Sequence, residues 1–333
     1  MKPLKPSPFF TVVIPTRNRP AVLAAAVKSV LAQDFDDYEI VIVDDGSLIP
    51  LDKEQLDLEG DGAKHLRIVN LPSQFRGRGP GYCRDVGVWE SAGRYCAFLD
   101  DDDIWIKTDH LCVAHEALSV TCPSPELYLA NQEAVATGSE TRPLWLYPLV
   151  TRLKRSGQMP RHGCYAVTAD ELIGVGGFSH LNTTIVSRAL FDRVGGIDEN
   201  IAYEEDLDFY LRCVDAAEGI RFRSDIIARH HVPDRTRQTN ASTSVNYVNK
   251  MNMRLYLLNK NLMNARQRVI RHYCQDYYVS TTKHIAEYFA NQGDYKKASH
   301  FARCALGVRF SLKWAVYSAF LFCRSVLPGG RAA

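Results

Sequence analysis

Strands buried on both faces of a parallel sheet read as near-continuous apolar runs, and such runs dominate the first hundred residues of this chain. "FFTVVIP" (Phe9 to Pro15) is apolar and β-branched and stops at a proline; "YEIVIVDDGS" (Tyr38 to Ser47) closes in polar turn residues. "HLRIVNL" (His65 to Leu71) is a third run and "YCAFLD" a fourth. Between them, "RPAVLAAAVKSVLAQ" has apolar residues at helical spacing with Pro20 near its first turn, and a second helix is expected from about Gly81 to Ala92. Strands alternating with helices imply a mostly parallel central sheet flanked by helices, which binds its ligands at the carboxyl ends of the strands.

Those ends are acidic. "VDDGS" and "FLDDDDIW" each follow a predicted strand, so neighbouring strands would put Asp44, Asp45, Asp100, Asp101, Asp102 and Asp103 on one rim. That much negative charge is costly unless a cation or hydrogen-bond donors offset it. Carboxylate oxygens suit Mg²⁺ or Mn²⁺, which bind through one or two carboxylates together with substrate phosphates.

Further along, "NTTIVSRALFDRVGGIDENIAYEEDLDFYLRCVDA" predicts a strand, a short helix, a Gly-Gly turn and an acidic helix start. "IRFRSDIIARHH" (Ile220 to His231) predicts another strand, ending in paired histidines that would point to opposite faces. After about Val245 the pattern is helical, which divides the chain into a domain over 1–245 and a helical extension over 246–333. "GDYKKASHFARCAL" reads as one helix-turn-helix unit, with no second copy at a fixed period.

A net charge of +2 gives no global bias toward nucleic acid. The charge is uneven, however: from Lys250 onward there are about fourteen Lys and Arg against three acids, Asp276, Glu287 and Asp294. The nine cysteines form no C-x-x-C pair and mostly sit in apolar runs, so a reducing compartment without disulfides or a zinc site is expected. "MKPLKPSPFF" has no apolar stretch of signal-peptide length, and "WAVYSAFLFC" is shorter than the roughly 20 residues that cross a bilayer. A cytoplasmic protein is expected.

Taken together, "VVIPTRNRP", "EIVIVDDGS", "CRDVGVWESAGRYCAFLDDDDIW", "GGIDENIAYEEDLDFYLR" and "RHHVPDRTR" resemble, in order and spacing, a family-2 inverting glycosyltransferase with a GT-A fold of the bacterial cell-surface glycan type. The resemblance covers roughly the first 245 residues. It implies a metal-dependent enzyme moving a sugar from a nucleotide-diphospho-sugar to a hydroxyl of a glycan or lipid-linked acceptor, with Mg²⁺ or Mn²⁺ as cofactor, in polysaccharide or lipopolysaccharide biosynthesis.

The resemblance also assigns roles. Pro15, Thr16 and Arg17 would touch base and diphosphate. Asp45 would accept a pyrimidine N–H, and Asp44 would hold a neighbouring loop or the ribose. Arg84 would lie near the nucleotide. The family's D-x-D pattern fits Asp100/Asp102 and Asp101/Asp102 alike. Asp102 is therefore the metal ligand under either register, and Asp100 or Asp101 would face the ribose or a metal-bound water. Asp103 is expected to cap the helix entered at "IKTDHL". In the E-D pair, Asp206 would be the general base, its pKa raised by Glu205, which is the second candidate. The bland account of Glu205, Asp206 and Asp208 is acids interacting with a helix dipole.

His231, and less so His230, would reach the metal or diphosphate. Arg235 and Arg237 would add phosphate contacts or only solvated charge, as would Arg76 and Arg78. Asn182, Thr183 and Thr184 would line the acceptor side. Two other readings compete. A sugar nucleotidyltransferase would carry a Gly-rich loop where this chain has "PTRNRP", and a non-catalytic glycan or nucleotide-sugar binder would not need the full carboxylate set. Lys296, Lys297, Arg303, Arg309, Lys313 and Arg324 punctuate an apolar, aromatic tail. Such a tail suits the inner face of an anionic membrane or packing against protein.

Overall fold

The computed structural model describes residues 7–58, 64–120, 122–135, 141–144, 146–232 and 245–327. The chain divides into two compact units, Met1–Thr243 and Ser244–Ala333.

The first unit is built on one ten-stranded sheet. β1 (Phe10–Thr16), β2 (Tyr38–Asp44), β3 (Leu66–Asn70) and β4 (Tyr95–Phe98) lie in the order β3-β2-β1-β4, all parallel. β1 is buried along its whole length. Its residues alternate between two helical layers. Phe10, Val12 and Ile14 share a core with Leu23, Ala26, Val27 and Val30 of α1 (Pro20–Leu31), the i, i+3, i+4, i+7 face of that helix. Val13 points the other way, under α2 (Pro80–Trp89). A Cβ at Gly87 of α2 would fall inside contact distance of Val13 Cγ1, so this helix approaches the strand as closely as it does because residue 87 has no side chain. Val41 and Val43 of β2 pack with Cys83 and Val86 on the same side.

Beyond β4 the sheet is mixed, where a mostly parallel one is expected from the apolar runs. The order continues through β9 (Thr184–Ser187), β6 (Leu127–Val135), β10 (Ile220–His231) and β5 (Ile104–Trp105), with β7 (Arg142–Leu144) on β6 and β8 (Cys164–Val167) on β10. β9 runs antiparallel to both β4 and β6, and β5 antiparallel to β10; only β6 and β10 pair in parallel here. An apolar run signals burial on both faces but not direction, so the antiparallel insertions leave no mark in it. α3 (His110–Ser119), α4 (Tyr147–Arg155), α5 (Ala169–Ile173), α6 (Arg188–Val194) and α7 (Glu205–Ala216) complete this unit's helices among the described residues. The Gly195-Gly196 turn after α6 takes left-handed φ values of 79° and 68°.

The second unit is helical: α8 (Tyr247–Asn264), α9 (Arg268–Asn291), α10 (Tyr295–Val308) and α11 (Leu312–Val326). Asn246 caps α8 through Asn249 N–H at 2.9 Å, and Asp294 caps α10 through Lys297 N–H at 3.1 Å. Small residues let the last three helices close up: Ala286, Ala298, Ala302 and Leu321 form a core flanked by Phe289, Phe301, Trp314 and Tyr317. Trp314 Nε1 donates to Ala302 O at 3.0 Å.

Candidate active site

The carboxyl ends of β1, β2 and β4 and the start of α7 bring most of the predicted residues into one connected set. Thr16, the last residue of β1, links two groups: its carbonyl accepts Asp45 N–H at 2.9 Å, and its hydroxyl donates to Asp101 Oδ2 at 2.7 Å. Pro15 beside it is a buried strand residue opposite Val43.

Asp45 and Asp44 face different neighbours. Asp45 accepts the backbone N–H groups of Arg78 (2.8 Å) and Gly79 (2.9 Å), so its carboxylate holds the loop that leads into α2. Arg17 grips the same loop, donating to Gln74 O at 2.7 Å. Asp44 turns into its own loop, where it accepts the Ser47 hydroxyl and, at 3.4 Å, Leu51 N–H. Asp44 thus braces the loop that follows its own strand, where a partner in a neighbouring loop or the ribose is expected. Arg76 is exposed, while the Arg78 guanidinium reaches Pro72 O at 3.1 Å.

The four aspartates diverge after β4. Asp100 pairs with Arg84 at 2.5 Å, and the other arm of that buried guanidinium reaches Glu205 at 3.2 Å. Burial pushes the Asp100 carboxyl up, but Arg84 and His180 outweigh it, and its pKa falls below the ordinary value. Asp101 is buried against Thr16 and Arg19 (2.5 Å), yet burial still lifts its pKa to about 7. Asp102 meets Arg19 at 2.9 Å, and burial with the charges of Asp100 and Asp103 raises its pKa too.

Asp103 does not cap a helix. α3 begins six residues after Ile104, behind Asp109. The Asp103 carboxylate is instead fully buried and accepts from Asn182 Nδ2, His230 Nδ1 (2.8 Å) and His231 N–H (2.7 Å). Burial alone would raise its pKa, and the histidine hydrogen bonds hold it well below the carboxylate range. Asn182 also accepts Asp100 N–H at 2.9 Å, so it positions two aspartates. Thr183 and Thr184 are buried, bonding to Ser179 and the His180 carbonyl. Asn182 thus braces the aspartate turn, while Thr183 and Thr184 tie down the Ser179–His180 stretch.

α7 starts behind Glu204, which has a left-handed φ of 64° unusual for a side-chain-bearing residue. Asp206 Oδ1 accepts Leu207 N–H at 2.8 Å, and Oδ2 lies 3.8 Å from His180 Nε2. Burial first, and then nearby carboxylates, lift the Asp206 pKa to about 6; burial and the Asp206 charge likewise raise Glu205. That is the range a general base needs near neutral pH.

A divalent cation suits this donor set. Asp100, Asp101, Asp102, Glu205 and Asp206 are faced by the guanidiniums of Arg19 and Arg84, and burial first, then the neighbouring carboxylates, raises the pKa values of Asp101, Asp102, Glu205 and Asp206. Among the described residues, Asp100, Asp103 and His180 form a group whose ligand atoms all lie within 4.8 Å of one another, and Asp102 and His231 are not in it. Asp103, however, is 0% exposed and already accepts three hydrogen bonds, whereas Asp102 is 24% and His231 46% exposed. His231 Nδ1 lies 2.6 Å from Asp102 O. A carbonyl only accepts, so Nδ1 carries the proton; the hydrogen bond to Asp103 raises the His231 pKa, and in the neutral ring Nε2 has the lone pair a metal would use.

Sequence reasoning missed Arg19 and His180. Arg19 sits in a polar loop beside a second arginine, Arg17, and His180 is a lone histidine without a spacing signal. Arg235 and Arg237 lie outside the described residues.

Residues 11–166 match the family model described as glycosyl transferase family 2. The match covers just under half of the chain. Among curated relatives, the chain is 28% identical over 219 residues to succinoglycan biosynthesis protein ExoW of Rhizobium meliloti, covering 63% of this chain and 65% of that one. It is 35% identical over 96 residues to the Campylobacter jejuni GalNAc(5)-diNAcBac-PP-undecaprenol beta-1,3-glucosyltransferase, covering 29% and 30%. The chain therefore spans less than two thirds of either relative. The crystal structure of S. aureus TarS 1–349 in complex with UDP-GlcNAc superposes with a TM-score of 0.64 over 95% of this chain and 88% of that one, at 18% identity. At that identity the likeness is one of fold, and it is a GT-A glycosyltransferase fold.

Proposed function

We propose that the first unit, with the boundary near residue 245, is the catalytic domain of a metal-dependent inverting glycosyltransferase. It takes a sugar from a nucleotide-diphospho-sugar and attaches it to a hydroxyl of a glycan or lipid-linked acceptor at the cytoplasmic face of a membrane. One observation carries this reading: Arg84 ties Asp100, at the end of a sheet strand, to Glu205, and Asp206 follows with a pKa near 6.

In this reading Asp45 accepts a pyrimidine N–H once the loop N–H groups of Arg78 and Gly79 give way, with Pro15, Thr16 and Arg17 beside the base and diphosphate. Asp44 keeps the loop after β2 in shape. Asp100 and Asp101 border the ribose and diphosphate, and Arg84 holds Asp100 in place. Asp102 and His231 Nε2 would hold Mg²⁺ or Mn²⁺, which when bound supplies positive charge opposite the diphosphate. Asp206 Oδ2 takes the proton of the acceptor hydroxyl as its oxygen attacks the anomeric carbon. The new C–O bond forms on the face opposite the breaking bond, whose electron pair leaves with the nucleoside diphosphate, so the configuration inverts. Glu205, held by Arg84, lies beside Asp206, and burial and then the Glu204 charge raise the Asp206 pKa and keep that base strong.

Release of nucleoside diphosphate from a panel of nucleotide sugars, with Mn²⁺ and candidate acceptors, tests the proposal. Asp206→Asn and Asp102→Ala should each cut transfer by about a hundredfold or more. Unimpaired transfer by both variants refutes it, and pyrophosphate release from a nucleoside triphosphate and a sugar phosphate would favour a nucleotidyltransferase.

A further inference from the structure

α11 has an inner and an outer face of opposite character. Ser318 and Leu321 are buried, on the side where Trp314 bonds to α10. At about 100° per residue, Leu312, Val316, Phe320, Val326 and the adjoining Leu327 fall on the opposite side, and all five are exposed. Ala319 and Cys323 lie between them and are exposed as well. Phe310, just ahead of the helix, is 74% exposed. The result is a continuous apolar stripe roughly 20 Å long, at 1.5 Å per residue, on the surface of the second unit. Soluble surfaces seldom leave so much contiguous apolar area bare without a use for it.

The surrounding charge selects the occupant. Lys313 and Arg324 lie along one edge of the stripe. Between Tyr295 and Leu327 there are six Lys and Arg and no Asp or Glu. Arg309 pairs with Asp276 and Lys297 with Asp294, but among the described residues no carboxylate pairs with Lys296, Arg303, Lys313 or Arg324. A second copy docked on this face would set cations against cations. An anionic lipid surface would answer both features, the apolar stripe in the acyl boundary and the cations among headgroup phosphates. No described helix is long and apolar enough to cross a membrane, and α11, at 15 residues, would lie in the interface plane.

We infer that α11 is a membrane-docking helix that enters the interface of an anionic bilayer through Leu312, Val316, Phe320 and Val326, flanked by Lys313 and Arg324. The inference stands on the tail alone. If it fails, transfer to a soluble acceptor is untouched; if transfer fails, vesicle binding still reads out.

The test is co-sedimentation of the full chain with vesicles of phosphatidylcholine alone and of phosphatidylcholine mixed with phosphatidylglycerol. The wild type should pellet with the mixed vesicles, and raised salt should weaken this. Val316→Glu/Phe320→Glu should lower partitioning by about tenfold or more. Lys313→Glu/Arg324→Glu should weaken it on anionic vesicles only. All four side chains are exposed, Arg324 also bonding the Tyr295 hydroxyl at 3.1 Å, and an unchanged melting temperature checks that each variant folds. Equal pelleting by wild type and Val316→Glu/Phe320→Glu would overturn the inference. So would absent vesicle binding with a concentration-dependent dimer in sedimentation velocity that the same pair abolishes.

Discussion

Arg84→Met probes the connection on which the site depends. The Arg84 side chain is 4% exposed and its guanidinium bridges Asp100 and Glu205, which are themselves only 22% and 17% exposed. Methionine fills much of the volume but leaves two carboxylates facing each other without a cation. Removing one partner of a buried ion pair costs about 3–5 kcal/mol, since the stranded charges must stay desolvated or take up protons. At roughly 2–4 °C per kcal/mol for a unit of this size, the melting temperature should drop by about 10 °C at pH 7.5. The pH dependence has a definite sign. The Glu205 carboxyl is already raised and Arg84 holds Asp100 low, so losing Arg84 raises both. Groups with a raised folded pKa stabilise the fold at low pH and lose that contribution as pH rises through it, so the variant's deficit should shrink as pH falls toward 5. Arg84→Lys should be intermediate, because an ammonium cannot reach both carboxylates as the planar fork does. Melting curves of the three proteins across pH 5 to 8 decide the matter. A deficit under about 1 kcal/mol at pH 7.5, or one that widens on acidification, would refute the account of Arg84 as the neutralising bridge.

Four other outcomes follow from the same structure. Burial lifts the Asp85 pKa to about 6 although the carboxylate accepts Ile197 N–H at 2.9 Å; the wild type should lose on the order of 2 kcal/mol as pH rises from about 4 through 6, and Asp85→Asn should flatten that slope in pH-resolved urea unfolding. Gly87→Ala should destabilise by about 1–3 kcal/mol through the Val13 clash, and Val13→Ala should restore part of it in thermal melts. Asp206→Asn should cut kcat by roughly 10²–10⁴ with little change in KM or melting temperature, read in a steady-state transfer assay. Asp102→Asn should weaken Mn²⁺ binding by about tenfold or more in calorimetry at an unchanged melting temperature, whereas Asp103→Asn should lower the melting temperature.

What could be read in advance was whatever depends on local pattern. β1 and β2 announce themselves because a strand covered on both faces has no polar side to show, and α1 because its buried residues recur at helical spacing. β10 was legible from Ile220 to His231. The aspartates were legible as a group because four adjacent carboxylates at a strand end have no structural use of their own. How those aspartates divide the work was not legible. Asp103 looks like any helix cap until β10 and Asn182 are folded against it, and then it becomes the buried acceptor that organises His230 and His231.

The sequence by itself determined the layered α/β core, the helical tail and the acidic rim, since burial, periodicity and charge density are properties of a residue and its near neighbours. Only the tertiary structure decided the antiparallel place of β9, the pairing of Arg19 and Arg84 with particular aspartates, the recruitment of His180, and the outward face of α11. Each of these depends on groups far apart along the chain, in the case of Arg84 and Glu205 by 121 residues. A contact across that separation carries its energy in distance and desolvation, and neither exists until the chain has folded.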